Sequence, residues 1–143
     1  MQAISICVQK SCRRKDILSI DKQAFIDAWN DVDKAFDEVI DFMKSNYGIP
    51  VSKLLPYDAL LVPFVYYFYK NKKKPEGENA RNLKDYFWRC VLNKRFTEGV
   101  EGKIAIDCAN VIDPILLKRK PENKSLEPVN ISCENLKKMD IFL

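Results

Sequence analysis

At 143 residues the chain has the length of one domain, and its 47% hydrophobic content is enough to bury a core without disulfide or metal staples. With 31% charged residues and only four glycines it has the composition of a globular protein, and a net charge of +4 does not by itself announce a nucleic-acid partner. Histidine is absent, which removes the commonest metal ligand, the commonest general base and every Ser-His or Cys-His nucleophile pair.

The charge is unevenly placed. Asp21 to Tyr47 carries seven acids against three lysines, whereas Lys70 to Lys103 carries ten bases against five acids. An acidic side and a basic side are expected. The five cysteines (Cys7, Cys12, Cys90, Cys108 and Cys133) form no CxxC pair. Their spacings favour buried or free thiols, in a reduced cytoplasmic setting, over a Cys-only zinc site.

In chain order, AISICV at residues 3–8 reads as a short β-strand followed by polar SCRRKD. No partner strand occurs elsewhere, so the expectation is that its partners lie outside the chain. The strongest element is IDKQAFIDAWNDVDKAFDEVIDFMKSNYG, in which Phe25, Ala28, Trp29, Val32, Ala35, Phe36, Val39, Ile40 and Met43 keep helical spacing. Ser19 or Asp21 caps its start, and Gly48 with Pro50 stops it. Its acids (Asp27, Asp31, Asp37, Glu38, Asp41) read as a solvated face, since no ExxH partner accompanies them.

The stretch LLPYDALLVPFVYYFYKNKKK contains an uncharged run from Ala59 to Tyr69. It is about half the ~20 residues needed to span a bilayer. A core helix beginning near Pro56, apolar all round, accounts for it better. Pro63 either kinks that helix or marks its true start, and the tyrosines give it polar tips. NKKKPEGEN is then a loop, with Asn79 capping a helix whose core stripe is Leu83, Tyr86, Phe87, Cys90 and Val91. Asp85 and Arg89 form an i,i+4 pair on its outer face. After a turn at residues 97–102, KIAIDCANVID forms a shorter helix stopped by Pro114. KRKPENKSLEP reads as a linker, and VNISCENLKKMDIFL as one short helix from Ser132 ending on Ile141, Phe142 and Leu143.

These elements predict an all-α fold, an irregular bundle of four to five helices with a short strand-like N-terminal segment. The expected organisation is residues 1–19 as that segment, 20–113 as a helical domain, and 114–143 as linker and short helix. One core is expected to hold Trp29, Phe36, Phe64, Phe68, Phe87 and Val91.

Over residues 20–113 the order of Trp29, Leu55-Pro56-Tyr57 with Leu61 and Pro63, Phe87-Trp88-Arg89, Arg95-Phe96 and Asp107 resembles the helical region of GmrSD-like restriction proteins. In that family the region accompanies a ParB-like (sulfiredoxin-like) domain with a DGQQR motif, and many members add an HNH-type nuclease domain. Neither occurs in this sequence, so no catalytic residue is carried over. The resemblance implies a non-catalytic structural or interaction module, part of a longer DNA-restriction protein, whose partner is the ParB-like catalytic domain. AISICV would be the last strand of that domain. No cofactor or metal ligand is assigned, and a self-contained enzyme is disfavoured because no acid-base constellation is present. The alternative is a weak, non-specific nucleic-acid-binding module using Lys72, Lys73, Lys74, Arg81, Lys84, Arg89, Lys94 and Arg95.

Overall fold

The computed structural model describes residues 1–48 and 58–122. Helix follows helix: α1 (Gln2–Gln9), α2 (Arg14–Leu18), α3 (Lys22–Phe42, continued by a π turn over Met43–Tyr47), α4 (Leu61–Asn71) and α5 (Gly77–Leu92). A 3-10 turn (Arg95–Thr97) leads to α6 (Val100–Asp107, continued by a π turn over Cys108–Ile112) and α7 (Asp113–Leu116). No strand occurs among the described residues, and the all-α expectation holds. Pro50, Leu55-Pro56-Tyr57, Cys133 and the helix expected from Ser132 lie outside the described residues.

The uncharged stretch is the centre of the bundle. Eight consecutive residues of α4, Leu61 to Phe68, are buried, because α1, α3, α6 and α7 all pack on it. Pro63 does not kink the helix. It falls in the first turn, where its missing N–H has no intrahelical acceptor to leave unsatisfied. The tyrosine tips find partners inside rather than water: Tyr66 Oη donates to Asp113 Oδ1 at 2.7 Å, and Tyr67 Oη accepts from Asn79 Nδ2 at 3.3 Å. Of the lysines that follow, Lys70 lies back over the Tyr66 and Tyr69 rings at 5.7 and 5.4 Å. The juxtaposition of aromatics and lysines is thus core followed by snorkelling stems. No helix among the described residues is long and apolar enough to cross a membrane.

AISICV is helix, not strand. Ala3, Ile4, Ser5, Ile6 and Cys7 are all buried in α1, which packs against α3 and α4. Burial on that wide an arc satisfies a helix as well as a strand, and an isolated strand would leave its backbone groups unpaired. The backbone bonds are made within the segment, Lys10 closes it in a left-handed turn (φ 57°), and Ser5 Oγ donates to Ser11 O at 2.5 Å. The residues read as the last strand of a missing domain are therefore part of the bundle itself.

Asp21 caps α3 as expected, accepting from the N–H groups of Gln23 and Ala24 at 3.1 Å each. Gly48 ends the π turn in the left-handed region (φ 65°) that glycine adopts without strain. On α5 the expected stripe is fully buried, but Asn79 is not its cap: the helix begins at Gly77, and the Asn79 amide turns to Tyr67 instead. Phe64, Phe68, Phe87 and Val91 share one core with the half-buried Phe36. Trp29 is the exception, half exposed beside Phe25 at 5.5 Å between ring centroids. The apolar arc of α3 is broader than α1 and α4 together cover.

Pro114 does not stop the last helix. It sits in the first turn of α7, after the π turn has already broken the regular ladder. A non-proline residue there would bond the carbonyl of Asn110; with no N–H to offer, that carbonyl accepts instead from Glu122 N at 2.9 Å. The loop after α7 is thereby pinned back onto the bundle.

Candidate functional site

The basic residues do not converge. Lys72 terminates α4 in a left-handed conformation (φ 53°) and its ammonium reaches Asp31 on α3 at 3.0 Å. That hydrogen bond raises the Lys72 pKa. Lys73 and Lys74 line an open depression with Asn71, Asn79 and Lys118, but Glu76 and Glu78 share it. Arg81 and Lys84 stand on the exposed face of α5, while Arg89 pairs with Asp85 at 2.8 Å as its spacing predicts. Lys94 lies beyond the other end of α5, a helix of 16 residues and so about 24 Å long.

Arg95 leaves the expected basic face altogether. Its guanidinium is buried (side chain 8% exposed) and grips Asp107 with both prongs, Nε to Oδ2 at 2.7 Å and Nη2 to Oδ1 at 2.5 Å. Tyr86 Oη donates to Asp107 Oδ2 at 2.8 Å. Lys103 Nζ donates to the Arg95 carbonyl at 2.9 Å. Burial, together with the adjacent Cys90 and Asp107, pushes the Tyr86 phenol well above its usual range and keeps its proton available as a donor. Both carboxylate oxygens of Asp107 are thus occupied by side chains of the bundle. The cluster clips α5, the 3-10 turn and α6 together. Sequence reading gave Asp107 no role, yet a signal was present: it stands on the buried arc of Ile104, Cys108 and Val111, where a carboxylate needs an internal partner.

The thiols are protected rather than reactive. Cys7, Cys12, Cys90 and Cys108 are all free and buried. Burial pushes the Cys7 thiol up to about 12 from 9.0, and burial with the neighbouring Glu101 pushes Cys12 up to about 11. Burial raises Cys90 and Cys108 as well. Because the folded state holds these thiols neutral, their contribution is full below pH 9.0 and is lost as pH rises through the folded values. The unfolding free energy from chemical denaturation is expected to fall between about pH 9 and 11, by no more than roughly 1 kcal/mol per pH unit per thiol. These four thiols are expected to resist a thiol reagent near pH 8 until the protein unfolds. A flat stability profile across that window, or reaction of the native thiols, would contradict this placement.

The remaining feature is a groove. It runs between α1 and α3, has a volume of about 160 Å³ and is lined by Met1, Ala3, Ile4, Trp29, Val32 and Phe36, with Asp33 on its rim. Trp29 is 50% exposed there. No group of three or more potential metal ligands occurs among the described residues. No protein-family model matches the chain, and no curated protein or solved structure matches it.

Proposed function

We propose that the chain is a non-catalytic structural and interaction module of a GmrSD-like DNA-restriction protein, docking the ParB-like catalytic domain through the α1–α3 face. The observation that carries the reading is Trp29, a half-exposed tryptophan lining the open groove between α1 and α3. Tryptophan is enriched among the few residues that carry most of the binding energy at protein interfaces.

The gene neighbourhood is expected to encode a DGQQR-bearing ParB-like domain, in frame or adjacent. That domain, purified and mixed with the full chain, should bind it, and Trp29→Asp should weaken binding at least about tenfold. The same change should cost only about 1–2 kcal/mol in stability, in proportion to the apolar area that the half-buried ring hides. Absence of such a domain, or binding indifferent to Trp29, would overturn the proposal.

The nucleic-acid reading retains one favourable observation, the cluster of Lys73, Lys74 and Lys118 around a single depression. Against it, Glu76 and Glu78 offset that charge, and Arg89, Lys72 and Arg95 are engaged by Asp85, Asp31 and Asp107. Reversing Lys73 and Lys74 to glutamate is expected to leave duplex-DNA affinity unchanged in a salt titration. A uniform loss from a salt-sensitive Kd of roughly 10⁻⁴ to 10⁻⁶ M would establish phosphate binding instead.

A further inference from the structure

We infer that the partner meeting this face lays an α-helix along α3, with a lysine or arginine of that helix paired to Asp33. The inference rests on reading the α1–α3 face as an interaction surface, and names the chemistry of what docks there.

The first observation is spacing. α3 turns one seam to the bundle, the buried residues Ala28, Val32, Ala35, Val39 and Phe42, in alternating steps of four and three. Beside it runs a second seam, Ile26, Trp29, Asp33, Phe36 and Ile40, in steps of three, four, three and four. Ile26, Trp29 and Ile40 are exposed and Phe36 is half-buried, so this seam is incompletely covered among the described residues. It is two heptads long, about 21 Å. Alternating threes and fours keep one face of a helix against a second helix, a register that an extended strand does not share. Met1 and Ile4 of α1 stand across the groove and give the docked helix a second wall.

The second is charge. Asp33 lines the groove and holds the middle of the seam, between apolar residues on both sides. It makes no ion pair among the described residues, and neither does Asp37 one turn on. A helix lying on the seam desolvates Asp33, and a carboxylate so placed needs a cation opposite. One polar residue in such a seam also fixes the register of the two helices.

The same residue decides against a second copy of the chain as the occupant. Two α3 seams paired in parallel set Asp33 against Asp33, and antiparallel layers set it against Trp29 or Phe36. Either arrangement covers a carboxylate without a cation.

The test titrates the full chain with a stapled two-heptad peptide, leucine at its a and d positions except for one central lysine. Fluorescence anisotropy compares it with the same peptide carrying glutamate there. The lysine peptide should bind at least about tenfold tighter, and Asp33→Lys should reverse the preference. Equal affinities, or no binding by either peptide, would overturn the proposal. So would a dimer of the free chain in sedimentation that Ile40→Asp disperses.

A second measurement uses the ParB-like domain. Asp33→Leu should weaken its binding at least about fivefold, because the partner's cation loses its carboxylate. Ile40→Asp, one turn past the groove, should weaken it at least about fivefold because the docked helix runs the whole seam. If either change leaves the affinity equal or tighter while Trp29→Asp still weakens it, the docked helix is wrong and the interaction face stands. If Trp29→Asp has no effect, the face itself is wrong.

Discussion

Asp107→Ala is expected to destabilise the protein by about 3–5 kcal/mol, because it removes the buried carboxylate that both prongs of the Arg95 guanidinium hold. Against a typical total of about 5–15 kcal/mol, that change approaches the whole stability of a weak domain. Arg95→Met alone should cost a similar amount by stranding the carboxylate, whose remaining donor is Tyr86. The combination Asp107→Leu, Arg95→Met and Tyr86→Phe replaces all three side chains of the buried ion pair and its tyrosine donor and should recover most of the stability, since a well-packed apolar replacement of a buried ion pair is often neutral. Urea unfolding followed by circular dichroism gives each value. Costs that simply add across the three sites would refute the coupled cluster.

Phe87→Ala should cost about 3–5 kcal/mol through the cavity it leaves. Phe87 has no solvent exposure and meets three rings, Tyr47 at 4.7 Å, Trp88 at 5.2 Å and Phe64 at 6.2 Å between centroids. Phe36 is the natural comparison, because it packs on the same core while half-buried. Its truncation should cost only about 1–2 kcal/mol, in proportion to the apolar area it hides. Unfolding midpoints should fall with an unchanged denaturant slope if the fold persists. Equal losses at the two positions would mean that Phe87 is no more central to the core than Phe36.

What the sequence by itself determined is the set of elements whose periodicity is long and whose ends carry their own chemistry. The α3 stripe, its Asp21 cap and Gly48 stop, the α5 core stripe and the Asp85–Arg89 pair are all local, and local spacing is enough to specify them. The uncharged run could be read as core because it is too short for a bilayer and too apolar for a surface. Tertiary structure decided the rest. Residues 3–8 carry an apolar pattern too short to separate helix from strand, and only packing against α3 and α4 made them helical. Asn79 gave up a cap for the Tyr67 hydroxyl, a choice set by a neighbour twelve residues away. Arg95 looked like one more surface base until Asp107, brought opposite by the turn between α5 and α6, took it into the interior. Trp29 fits its helical stripe perfectly, yet whether a stripe residue is covered depends on the width of what packs against it. That width is a property of the assembled bundle, and no reading of one helix contains it.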